Sequence, residues 1–90
     1  MIAAIIAECI GTAFFFSCTL AYDEPISVVI GLLAAKYAFG KISGGHFNST
    51  GSLLMFMKGA IDFKRFMLYV IAQCVGALFA LIWWNTFVKV

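Results

Sequence analysis

The side chains of this 90-residue chain that could do chemistry gather in one run, Ser43-Gly44-Gly45-His46-Phe47-Asn48-Ser49-Thr50. It lies within a strongly apolar sequence. In a bilayer core, polar irregular backbone survives only where it is buried in protein or lines a water-filled cavity. The run is therefore the first place to look for function. His46 invites a metal or catalytic reading, but it is the only histidine, and no cysteine or carboxylate stands at ligand spacing from it. A loop-stabilising histidine is the preferred reading, with no metal and no cofactor.

Outside the run, Glu8 and Lys36 are ionisable residues inside apolar segments. An intramembrane carboxylate is a functional candidate by default. Counted along their helices, both lie roughly 8–9 Å deep, so they could pair. The alternative, and the favoured one, is that the long Lys36 stem snorkels to the interface. An unpaired Glu8 would tend to take up a proton. Nothing in the chain forms a nucleophile, an acid–base pair or a phosphate loop, which argues against an enzyme.

Composition names the solvent in which these residues must be held. The chain is 64% hydrophobic and 11% charged, with net charge +2 and mean hydropathy +1.07. A soluble domain of this size could not hide that much apolar surface in one core. No basic tract suggests nucleic acid. Cys9, Cys18 and Cys74 all lie in apolar runs and read as small packing residues, not as a disulfide framework or zinc site.

The sequence predicts an all-α membrane protein with three transmembrane helices, over 2–22, 25–41 and 66–88, and a re-entrant loop with a half-helix over 43–57. The three long runs suffice to cross a ~30 Å hydrocarbon core at ~1.5 Å per residue, the middle one only just. Tyr22-Asp23-Glu24-Pro25 is a tight turn: the carboxylates suit the positive end of the next helix, and Pro25 suits its first turn. The first run is not read as a signal peptide, because it lacks a basic start, is too long and contains Glu8. From Ser49 to Met57 there is chain for only ~13 Å of helix, enough to enter the membrane halfway. Trp83 and Trp84 mark an interface near the end of the last span.

Lys41, Lys58, Lys64 and Arg65 fall on one side of this topology and Lys89 on the other. The positive-inside rule then places the N-terminus and the re-entrant loop in the cytoplasm and the C-terminus on the opposite side. Asn48-Ser49-Thr50 spells a glycosylation acceptor, but in this topology no glycan is expected.

Three motifs in register, Ala7-Glu8-Cys9-Ile10-Gly11-Thr12, Gly40 to Asn48, and Tyr69 to Ala77, resemble the aquaporin and aquaglyceroporin (major intrinsic protein) family. Order and spacing match the first half of such a protein along almost the whole chain. The resemblance implies one of two inverted repeats, each with three spanning helices and a half-helix. Asn48 would cap the half-helix and point amide donors at passing solute, with the positive dipole end disfavouring cations. The carbonyls of Gly44, Gly45, His46 and Phe47 would form an acceptor ladder. Glu8 would accept hydrogen bonds from the loop and hold it, and Gln73 with Gly76-Ala77 would supply interhelical hydrogen bonding and close packing. Val28 would fall at the helix-two position of the outer constriction, where a valine leans toward solutes larger than water.

Two departures stand out. Ser49 and Thr50 occupy the places of the family's usual proline and alanine; Ser49 keeps the helix possible but loosens it, and Gly51 costs up to ~1 kcal/mol relative to alanine. The second repeat is absent from these residues. The implied function is thus a half-channel for water or small uncharged solutes, needing a second repeat from another chain or a copy. Basic-residue asymmetry disfavours an antiparallel homo-oligomer and favours a complementary second-half chain. The competing readings are a proton-coupled transporter using Glu8, and a non-conducting structural protein or family remnant.

Overall fold

The computed structural model describes residues 1–89. Four α-helices follow in order, α1 (Ile2–Ala21), α2 (Pro25–Ser43), α3 (Ser49–Lys58) and α4 (Phe63–Trp83), and α4 runs on through a π-helical turn, Trp84–Val88. Three segments, Ile2–Ala21, Pro25–Ser43 and Phe63–Val88, are long and apolar enough to cross a membrane. The protein is an all-α integral membrane fold. α3, with 10 residues, spans only ~15 Å.

Local chemistry sets the boundaries. Tyr22 and Glu24 are extended, with φ −140° and −127°, as expected for Glu24 in front of a proline, and Pro25 opens α2. α2 continues two residues past the expected stop at 41, because the first residue able to end it with a left-handed turn is Gly44 (φ 92°), whose N–H returns to the Gly40 carbonyl at 2.7 Å. Gly59 (φ 89°) ends α3 the same way, with its N–H on the Phe56 carbonyl and that of Ala60 on the Met55 carbonyl. α4 starts at Phe63, ahead of the expected 66. Asp62 accepts the Arg65 N–H at 2.8 Å, and this cap draws Phe63, Lys64 and Arg65 into the first turn despite their charge.

α1 packs between α2 and α4, and α3 lies against α4. Small residues allow this: Ala4, Ala7, Gly11 and Thr12 are buried on α1, Gly31 and Ala35 on α2, and Ala72, Gly76 and Ala80 on α4. Gly76 meets the Cys9 carbonyl and Thr12 so closely that a Cβ there would collide with α1. At the other end of α4, Phe56 of α3 stacks on Phe66 at 5.3 Å and meets Phe63 edge-on at 5.7 Å. The helices form a slab of 42 × 23 × 19 Å. Large apolar side chains stay uncovered on its faces, among them Ile26, Val29, Ile30 and Leu33 of α2 and Leu78, Phe79 and Ile82 of α4, surface fit for lipid or a further protein layer.

Cys9 and Cys18 are half-buried and Cys74 is exposed; all three are free thiols. Cys18 lies against Gly31 at the α1–α2 crossing. Cys74 packs less than its apolar setting suggests, because it faces the side of α4 that α1 does not cover.

Candidate functional site

Between α2 and α3 the chain makes an irregular passage through residues 44–48. Gly44 and Gly45 have φ 92° and 64°, and Phe47 (φ 53°) is the one non-glycine residue with positive φ among those described. A left-handed phenylalanine is held by its surroundings. Its ring is fully buried and lies flat against Gly11, where any side chain on α1 would overlap it. Phe15 and Ala35 complete the cluster, with Phe16, Val28, Leu32 and Phe39 at its margin.

The passage is tied to α1 by Glu8, which is 0% exposed. One carboxylate oxygen accepts the Ser43 hydroxyl at 2.5 Å and the His46 N–H at 3.1 Å; the other accepts the Phe47 N–H at 2.8 Å and the Gln73 amide at 2.9 Å. Four donors thus meet the two oxygens of a side chain that, when ionised, only accepts. Burying a carboxylate this deeply is tolerable only with such compensation. Lys36 does not take part. Instead of pairing with Glu8, its ammonium donates to the Gly45 carbonyl at 2.5 Å. A glycine there leaves room for the lysine stem, whose Cγ lies 3.4 Å from where a Cβ would be.

Behind Glu8 the network continues. Gln73 also donates to the Ser52 hydroxyl at 2.8 Å and accepts from Ser49 at 3.2 Å, and His46 Nδ1 lies 2.9 Å from the same Ser52 hydroxyl. The His46 ring meets Tyr69 edge-on at 5.0 Å. Tyr69 donates its hydroxyl to the Ser43 carbonyl at 2.6 Å, and the Ser43 hydroxyl in turn accepts the Gly45 N–H at 3.1 Å. The Glu8 carboxylate, the Ser43, Ser52 and Tyr69 hydroxyls and the Gln73 amide thus all have protein partners.

The opposite side is different. Asn48 is exposed and caps α3, its carbonyl oxygen accepting the Thr50 N–H at 2.7 Å. Its Nδ2 has no partner among the described residues, and neither do the carbonyls of Gly44, His46 and Phe47. A cavity of about 260 Å³ adjoins Asn48, Ser49, Thr12, Gln73 and Cys74. Thr12 Oγ1, buried beside it, is the one buried side-chain polar atom without a partner among the described residues.

Of the residues singled out from the sequence, Glu8, Gly45, His46, Phe47, Ser49 and Gln73 thus belong to one connected set, with Asn48, Gly44 and Thr50 at its edge. Val28 stands apart, half-buried in the first turn of α2 beside the Phe15 cluster. Ser43, the first residue of the run, joins the network, and Ser52 and Tyr69 join it without having been expected. Two signals were available: Ser52 follows Ser49 by three residues and Tyr69 precedes Gln73 by four, spacings that put each pair on one helix face.

The family model for major intrinsic proteins matches residues 1–89. The chain belongs to the major intrinsic protein family. Aquaporin PIP2-7 of Musa acuminata is 33% identical over 94 aligned positions, covering 83% of this chain and 33% of that protein. The glycerol uptake facilitator protein-like 6 of Lactiplantibacillus plantarum is 36% identical over 84, covering 83% and 39%. Aquaporin-1 of Rattus norvegicus is 40% identical over 65, covering 69% and 24%. Against these major intrinsic proteins the chain spans between about a quarter and two fifths of their length. No solved structure matches it.

Proposed function

We propose that the chain is one repeat of a major intrinsic protein channel, a half-channel for water or small uncharged solutes that conducts once a second repeat completes the pore. One observation carries this: the carbonyls of Gly44, His46 and Phe47 and the Asn48 amide have no partner among the described residues, in a passage otherwise held by bonds to Glu8, Ser43 and Tyr69. Acceptors followed by a donor suit a molecule that both donates and accepts hydrogen bonds, as water and polyols do. The N-terminus of α3 adds a positive dipole end at Asn48, which disfavours cations. Glu8 and Gln73 serve as anchors that hold the row in place. The engagement of Glu8 by four donors favours this role over proton-coupled transport, which needs a carboxylate free to exchange partners, and channel work asks for no catalytic group.

A single repeat leaves the row open on one side. The second repeat is supplied by a complementary chain in preference to an inverted copy, since Lys41, Lys58, Lys64 and Arg65 crowd one end and would place it in the cytoplasm. Val28 then leaves its side of the outer mouth wide and apolar, which leans toward solutes larger than water.

The test is solute entry into vesicles followed by light scattering. Vesicles with the chain alone are expected to admit water and glycerol no faster than empty ones. A chimera in which the chain replaces the matching N-terminal part of the Lactiplantibacillus plantarum protein is expected to conduct, and Asn48→Ala to reduce that flux about tenfold, the loss of one well-placed hydrogen bond from a pore too narrow for bulk water. Fast flux through the chain alone would refute the need for a second repeat. Undiminished flux in Asn48→Ala would remove the loop from the pathway.

A further inference from the structure

Lys36 is the one side chain that breaks the pattern of the open face. Of the carbonyls from Gly44 to Phe47, that of Gly45 alone has a donor among the described residues, and that donor is a cation, the Lys36 ammonium. The lysine is exposed on α2, on a helix whose neighbouring positions Leu33 and Tyr37 are likewise uncovered, so no packing forces it onto the loop. What brings it there is the acceptor itself: in a low-dielectric setting a cation seeks an uncommitted carbonyl, and a hydrogen bond to a charged donor is about twice as strong as a neutral one. Glycine at 45 leaves room for the stem to lie along the backbone.

We propose that Lys36 is a tethered plug and specificity determinant of the acceptor row, an inference that rests on the channel reading above. Its ammonium presents the same donor chemistry as a permeating hydroxyl and sits at the second carbonyl of the row. Any water or polyol moving along the row must displace it or pass beside it. The fixed positive charge also adds to the exclusion of cations at this point. A neutral solute therefore crosses slowly, and its passage is governed by the lysine's exchange between the carbonyl and water. The lysine's four-carbon stem lets it swing away without moving the helix.

The experiment measures glycerol and water flux in the chimera described above, with Lys36→Met, Lys36→Arg and Lys36→Ala compared at equal amounts of monodisperse protein. Lys36→Met, close in length and uncharged, is expected to raise flux about tenfold, matching the loss of one charge-assisted hydrogen bond; Lys36→Arg is expected to stay slow. If Lys36→Met does not accumulate, Lys36→Ala carries the same expectation. Propylammonium in the bath should then slow the alanine variant and leave the unsubstituted protein unchanged. Adding Asn48→Ala to the fast variant should abolish the gain, showing that it passes along the loop. Flux in the unsubstituted chimera that neither neutral variant raises would overturn the plug and leave the channel standing. Absence of flux from every form would overturn both, while flux appearing only in the neutral variants would establish both.

Discussion

α1 and α2 are near twins as membrane segments, 20 and 19 residues long with mean hydropathies of 1.8 and 1.5; Glu8 on α1 and Lys36 on α2 stand at similar depth, and α2 adds Lys41 in its last turn. Their fates diverge. Glu8 on α1 is fully buried with four donors around it, whereas Lys36 on α2 is exposed and holds a single carbonyl. α1 is covered by helices on two sides and α2 on one. Hydropathy thus finds spans without ranking them; the ionisable residue shows which helix is central. A buried carboxylate organises the fold, whereas the ammonium on the neighbouring helix is uncovered and makes one bond.

If that contrast is sound, substitutions on α1 should damage the fold and those on α2 should spare it. Glu8→Ala is expected to lower stability most, by about 3–5 kcal/mol, because it orphans the donors of Ser43, His46, Phe47 and Gln73 in one step. Thermal unfolding in detergent would show it. Glu8→Gln should also destabilise, since its amide turns donor against donor; a Glu8→Gln protein of normal stability that loses pH-driven uptake would make the carboxylate a transport group instead. Gly11→Leu comes next, at about 1–3 kcal/mol, through collision with the Phe47 ring. The same unfolding measurement should show Phe47 leaving its slot. Lys36→Met is expected to shift stability least, by about 1 kcal/mol, the one hydrogen bond it gives up. A loss approaching that of Glu8→Ala would end the distinction between the two helices.

Much of this could be read from the residues. Apolar length and the Asp23-Glu24-Pro25 break predict the long helices, and Ser43 to Thr50 marks the irregular passage because polar backbone is conspicuous among apolar neighbours. What escaped was rotation. Whether Lys36 faces Glu8, the interface or Gly45 depends on the angle of α2 about its axis, and α2 is apolar on nearly every side, so periodicity does not fix that angle. Ser52 and Tyr69 were missed for a related reason: a serine in a half-helix and a tyrosine in a span are unremarkable until the element opposite is known. Asp62 is the opposite case, a local cap of a residue type that favours helix starts, which carries the start of α4 back across the charged Lys64 and Arg65.

The partners of Glu8 lie 35, 38, 39 and 65 positions further along the chain. A ribosome adding roughly 5–20 residues per second emits Gln73 about 3–13 s after Glu8. Ser43, His46 and Phe47 follow Glu8 by about 2–8 s; until then its carboxylate has none of the neighbours that later surround it, and until Gln73 emerges the set is incomplete. During biogenesis, then, the most stabilising residue of the finished protein is the one that most resists entry into lipid. The first helix must wait near the headgroups, or be shielded by the insertion machinery, until the last helix arrives.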